Sequence, residues 1–87
     1  MIPPEELNRM RWAARRGMLE LDLVLEPFLR DGYQDLTPEE RGQFALLMTC
    51  EDQELYAWLL QREHPTDPGL GAIVQKIRAI SASRRQS

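Results

Sequence analysis

Trp12-Ala13-Ala14-Arg15-Arg16-Gly17-Met18-Leu19-Glu20-Leu21-Asp22 is where two helical patterns meet at one glycine. Before it, Leu7, Met10 and Ala14 recur at spacings of three and four; after it, Met18, Leu21, Leu25 and Phe28 do the same. One residue has to leave the first helix and admit the second, and glycine tolerates the left-handed backbone that such a corner often needs. With Gly17 as N-cap, Met18, Leu19 and Glu20 take the first three helical positions. A glutamate at the third bonds back to the capping N–H, and its charge suits the helix N-terminus. The stretch therefore has a complete local explanation as a helix–helix corner. That explanation does not require Arg15 and Arg16, nor the upstream Trp12. An open glycine backbone between two opposite charges also offers a docking surface for a protein partner.

Working outward, the first helix is expected from Pro4, a residue suited to a first helical position, to about Arg15, with Trp12 off its apolar stripe. The second runs from Met18 to about Arg30. Leu19, Leu23 and Val24 add a second stripe to it, and a helix apolar on most sides is usually central in its bundle. Pro27 removes the bond to the carbonyl of Leu23 and is expected to kink or loosen the last turn, with Gly32 as the stop. Thr37-Pro38-Glu39-Glu40 reads as a capping box opening a third helix whose stripe is Phe44, Leu47 and Met48. A short fourth helix spans about Asp52 to Gln61, capped by Asp52, with Leu55, Trp58 and Leu59 inward and Tyr56 at an edge. After a loop around His64 and Pro65, Asp67 caps and Pro68 opens a fifth helix carrying Leu70, Ile73, Val74, Ile77 and Ile80. No stretch alternates with period two between hairpin turns, so no sheet is expected. The fold class is all-α: a small compact five-helix bundle forming a single domain over residues 1–80, with 81–87 a frayed polar tail.

At 87 residues the chain makes one domain, with a stability on the order of 5–10 kcal/mol. The single Cys50 excludes an intramolecular disulfide. No apolar run approaches the roughly 20 residues that cross a bilayer. Met1-Ile2-Pro3-Pro4-Glu5-Glu6 resembles neither a secretory signal nor a transit peptide, which leads to the expectation of a cytoplasmic protein. The net charge of −3 is unevenly spread: Arg9, Arg11, Arg15 and Arg16 crowd the first helix and corner, while the body from Met18 to Leu59 is acidic.

Little in the chain suggests catalysis. His64, the single histidine, precedes a proline without companion ligands, so a metal site is not expected. Cys50 has no basic neighbour in sequence to activate it and reads as a junction residue. Gly69-Leu70-Gly71 is too short for a phosphate loop. Glu20 and Asp22 point in different directions on one helix and cannot form a carboxylate pair. No catalytic, cofactor-binding or metal-ligating residue is assigned, and the chain is read as not an enzyme.

Arg16-Gly17-Met18-Leu19-Glu20 is an R-G-x-x-E motif inside W-x-x-R-R-G-M-x-E-L-D, and in this the chain resembles the bacterial succinate dehydrogenase flavinylation factor family (the SdhE/YgfY type). Pro27-Phe28, Leu36-Thr37, Cys50-Glu51-Asp52 and Leu55-Tyr56-Ala57-Trp58-Leu59 extend the likeness over roughly residues 7 to 80. The resemblance implies a chaperone-like assembly factor that binds the flavoprotein subunit of succinate dehydrogenase, with fumarate reductase as a further candidate, and promotes covalent FAD attachment. The FAD belongs to the partner; this chain is expected to hold no stable cofactor, to touch no membrane and to be a monomer. By the same resemblance Arg16, Gly17 and Glu20 are the partner-binding residues, with Arg15, Met18 and Asp22 as neighbours. Arg16 and Glu20, four apart across the corner, are expected to pair with each other or to reach outward to the partner. The competing reading, an antitoxin-like or nucleic-acid-binding regulator, rests on the four N-terminal arginines; the acidic body and the missing recognition-helix signature count against it.

Overall fold

Three of the five helices open on a proline whose missing N–H costs nothing at that position. In the computed structural model, which describes residues 2–85 and the side chains of residues 2–82, the helices are α1 Pro4–Ala14, α2 Leu19–Asp31, α3 Pro38–Leu47, α4 Asp52–Leu59 and α5 Pro68–Arg85. A 3-10 turn, Tyr33–Asp35, links α2 to α3, and no strand occurs among the described residues. The capping box of α3 forms as expected: Glu40 N–H donates to Thr37 Oγ1 at 3.1 Å and Thr37 N–H to Glu40 Oε1 at 2.9 Å. Asp67 caps α5 by accepting from Leu70 N–H at 2.9 Å.

Helices α2 and α5 form the centre, α2 packing on α1, α4 and α5, and α5 on α3 and α4 as well. All of Leu21, Leu25, Phe28, Phe44, Leu47, Leu59, Ile73, Val74 and Ile77 are buried. Phe44 sits between Phe28, stacked at a centroid distance of 5.5 Å, and Tyr33, edge-on at 5.5 Å. Tyr33 and Leu36, on a stretch with no helical period, are core residues that pattern reading missed. The Tyr33 hydroxyl donates to Glu6 at 3.0 Å, and Arg41 donates to the same carboxylate at 3.3 Å, so Glu6 of α1 ties the buried phenol of the 3-10 turn to α3. Burial, reinforced by Glu6, pushes the Tyr33 hydroxyl up to about 12.

Several expectations are corrected. Helix α2 begins at Leu19 with Met18 as N-cap, so Gly17 is not the cap and Glu20 is the second helical residue, with no capping box. The cap of α4 is Glu51, whose N–H donates to Glu54 Oε1 at 3.1 Å, because the Asp52 carboxylate is engaged elsewhere. Trp58 is half-buried, at the flank of the core. As expected, α2 runs past Pro27, to Asp31. Gly32 stops α2 without a left-handed backbone; a Cβ there would stand 2.8 Å from Ile80 Cδ1, so its role is the close approach of α2 and α5. Helix α5 continues beyond Ile80 to Arg85, so residues 81–85 are helical; residues 86 and 87 of the expected tail lie outside the described residues. The second apolar stripe of α2 divides: Val24 is buried, whereas Leu19 and Leu23 are 68% and 64% exposed.

Candidate functional site

The corner between α1 and α2 is built by two changes of backbone conformation. Helix α1 ends as Arg15 turns extended, its N–H donating back to Trp12 at 3.2 Å. Gly17 then takes a left-handed φ of +73°, and nothing lies within 4 Å of where a Cβ would stand. The result is an exposed stretch of bare backbone. Beside it Trp12 is 74% exposed, with the Arg15 guanidinium 6.0 Å from its ring centroid, inside cation–π range.

The six motif residues separate into inward- and outward-facing groups. Glu20 is exposed, and its carboxylate bonds to no other described residue. Gly17 and Arg15 are exposed, and Met18 is half-buried against the core. Asp22 is half-buried, its Oδ1 accepting from Arg16 N–H at 3.4 Å, so one carboxylate holds the backbone of the corner onto α2.

Arg16 neither pairs with Glu20 nor reaches outward. Its side chain, 15% exposed, crosses to the junction of α3 and α4. Nη1 donates to Cys50 O at 3.2 Å and to Asp52 Oδ1 at 3.4 Å, and Nη2 donates to Met48 O. The placement follows from charge. Met48 closes α3, where free carbonyls carry the negative end of the helix, and Asp52 is the first residue of α4, where a carboxylate is favoured. A guanidinium between them satisfies both. Arg16 thus fastens the corner to the α3–α4 junction, over a sequence separation of 34 residues to Cys50. Its partners Met48, Cys50 and Asp52 are members of the site that no local signal marked.

Arg16 also places a cation near Cys50, yet the thiol's pKa is raised: burial outweighs it, and Glu54 adds to the rise. Cys50 is therefore unactivated, and its sulfur contacts Leu46 O at 3.8 Å. Among the described residues no group of His, Cys, Asp or Glu is placed to hold a metal ion, and no helix is long and apolar enough to cross a membrane. The corner presents bare backbone, a carboxylate without a partner among the described residues and an exposed indole, features suited to contact with another protein.

Residues 8–81 match the sequence profile of the family described as "Flavinator of succinate dehydrogenase". Among curated proteins, the chain is 47% identical over 76 residues to "FAD assembly factor SdhE" of Shewanella oneidensis, covering 87% of this chain and 93% of that protein. It is 43% identical over 77 residues to the protein of that description in Pseudomonas aeruginosa, covering 88% and 92%. For the one in Vibrio parahaemolyticus the identity is 39% over 84 residues, covering 97% and 98%. Among solved structures, the solution structure of a UPF0350 protein superposes with a TM-score of 0.80 at 38% identity, covering 99% of this chain and 92% of that one.

Proposed function

From the premise that this chain belongs to the succinate dehydrogenase flavinator family, an assembly factor for FAD attachment, we propose that it works by docking the α1–α2 corner on the flavoprotein subunit of succinate dehydrogenase. The observation that supports this is the corner itself. Gly17 lies open in a left-handed conformation, and beside it the Glu20 carboxylate has no partner among the described residues. An exposed acid without a partner among the described residues is available to a cation on another protein. Gly17 and Glu20 make the contact, with Arg15 and Met18 at its edge; Arg16 and Asp22 act by holding the corner in shape.

In this reading the chain is not an enzyme and holds no cofactor of its own; the FAD and the residue that receives it belong to the partner. The chain promotes attachment by binding the reactive conformation of the subunit more tightly than the others. A tenfold preference corresponds to about 1.4 kcal/mol, which a few interface groups supply. Fumarate reductase is a further candidate partner, the working form is a monomer, and the site of action is the cytoplasm. The test is reconstitution: apo flavoprotein subunit and FAD, with and without this chain, read by flavin fluorescence of the denatured subunit on a gel. Covalent flavin should rise with the chain present; equal incorporation in its absence would remove the proposal.

A further inference from the structure

Helix α2 carries more leucine than its buried face uses. Leu21, Val24, Leu25 and Phe28 face the core, while Leu19 and Leu23 stand in solvent at 68% and 64% exposure. Single exposed leucines are ordinary. These two are one helical turn apart on one face, on the helix that starts at the docking corner. Leu23 also lines a cleft of about 370 Å³ between α2, the end of α4 and α5, whose other walls include Pro27, Leu60 and Ile80. Its lining includes Glu20, whose carboxylate has no partner among the described residues, so the cleft is continuous with the proposed docking surface.

A neighbouring cleft has the opposite charge. An adjoining cleft of about 450 Å³ shares Val24, Leu60 and Ser81 with the first and is lined by Arg62 and Arg78. Arg78 Nη1 is buried without a hydrogen-bond partner among the described residues, and Arg62 follows α4 in a left-handed conformation with φ 63°. Two adjoining clefts, the first mostly apolar with Glu20 in its lining and the second lined by two guanidiniums, fit one kind of occupant: a segment with apolar side chains between a basic and an acidic residue.

We infer that the docking surface extends from the corner along Leu19 and Leu23 into this cleft, which takes an apolar segment of the flavoprotein subunit with its basic end at Glu20 and its acidic end at Arg62 and Arg78. This rests on the corner being the surface that meets the subunit. The test titrates purified flavoprotein subunit onto wild type, Leu19→Ser/Leu23→Ser, Arg78→Gln and Glu20→Ala, with a thermal melt of each. The double leucine variant should melt like wild type and bind about tenfold or more weakly. Arg78→Gln should weaken binding and reduce its salt dependence. Wild-type affinity in the double leucine variant overturns the inference; if Glu20→Ala still weakens binding, the corner reading survives that failure, and if it does not, both fall. Unchanged affinity and salt dependence in Arg78→Gln overturns the assignment of the acidic end. If sedimentation shows that the leucine variant loses self-association while subunit affinity is intact, the face meets a second copy and the inference is wrong.

Discussion

Replacing Arg16 by alanine should unfold the protein more readily, although the residue belongs to a motif associated with partner recognition. The guanidinium donates to two backbone carbonyls, Met48 O and Cys50 O, and to the Asp52 carboxylate. A hydrogen bond involving a charged group contributes about 1.5–3 kcal/mol net, so the carbonyl pair amounts to roughly 3–6 kcal/mol. Asp52 is 42% exposed, which limits the ion pair to about 0–1 kcal/mol. Two effects reduce the total: water enters the space vacated at the half-exposed junction, and Arg16 Nε is buried without a partner among the described residues. The expected loss is about 2–4 kcal/mol, a large share of a stability on the order of 5–10 kcal/mol. For a domain of this size that lowers the melting temperature by roughly 10–25 °C. Arg16→Lys keeps the charge without the fork and should fall between. Circular dichroism melts of Arg16→Ala, Arg16→Lys, Asp52→Ala and Glu20→Ala, with covalent flavin incorporation per folded molecule, provide the assay. Glu20→Ala should melt like wild type and lose incorporation. An Arg16→Ala melt within about 2 °C of wild type would refute the clamp and return Arg16 to the partner-facing group.

The remaining expectations concern the core, the corner and pH. Phe44→Ala removes the ring between Phe28 and Tyr33 and should cost about 3–5 kcal/mol; an unchanged denaturation midpoint would take it out of the core. Gly17→Arg has room for a side chain but must hold a positive φ, a strain of about 1–2 kcal/mol. It should therefore fold and lose subunit binding, and wild-type affinity in a titration would make the glycine a turn residue alone. In acid, Glu40 loses the carboxylate that Lys76 and the Thr37 N–H hold below its usual pKa. Stability should be full above the ordinary carboxylate range and fall as pH drops through the lowered value, and Glu40→Gln should flatten that limb of a pH–melting curve. In base, Tyr33 is neutral in the fold up to about 12 while the unfolded phenol ionises near 10, so stability should decline across that interval; Tyr33→Phe should not show this decline.

Legibility in the sequence tracked how local the physics was. Helix starts at Pro38 and Pro68 were readable because proline and a capping side chain act within one turn. Apolar periodicity identified the buried faces of α3 and α5, since burial repeats with the helix. Tyr33 and Leu36 escaped because a 3-10 turn has no amphipathic period to read. The start of α2 was misplaced by one residue because Gly17 satisfies the corner just as well from outside the cap.

By itself the sequence determined the class of fold, the position of the corner and the family, through R-G-x-x-E and the pattern around it. It also led to the expectation of a function of contact, since side chains suited to catalysis or metal binding are sparse and scattered along the chain. Tertiary structure alone decided which motif side chains face outward. Arg16 and Glu20 lie on the same corner, but the free carbonyls of α3 and the acid that opens α4 converge on one of them. Those groups are over 30 residues distant in the chain and are brought there by the packing of α2 on α4. A charge goes where unpaired opposite charge is nearest, and in a folded chain that is a property of packing, not of spacing in sequence.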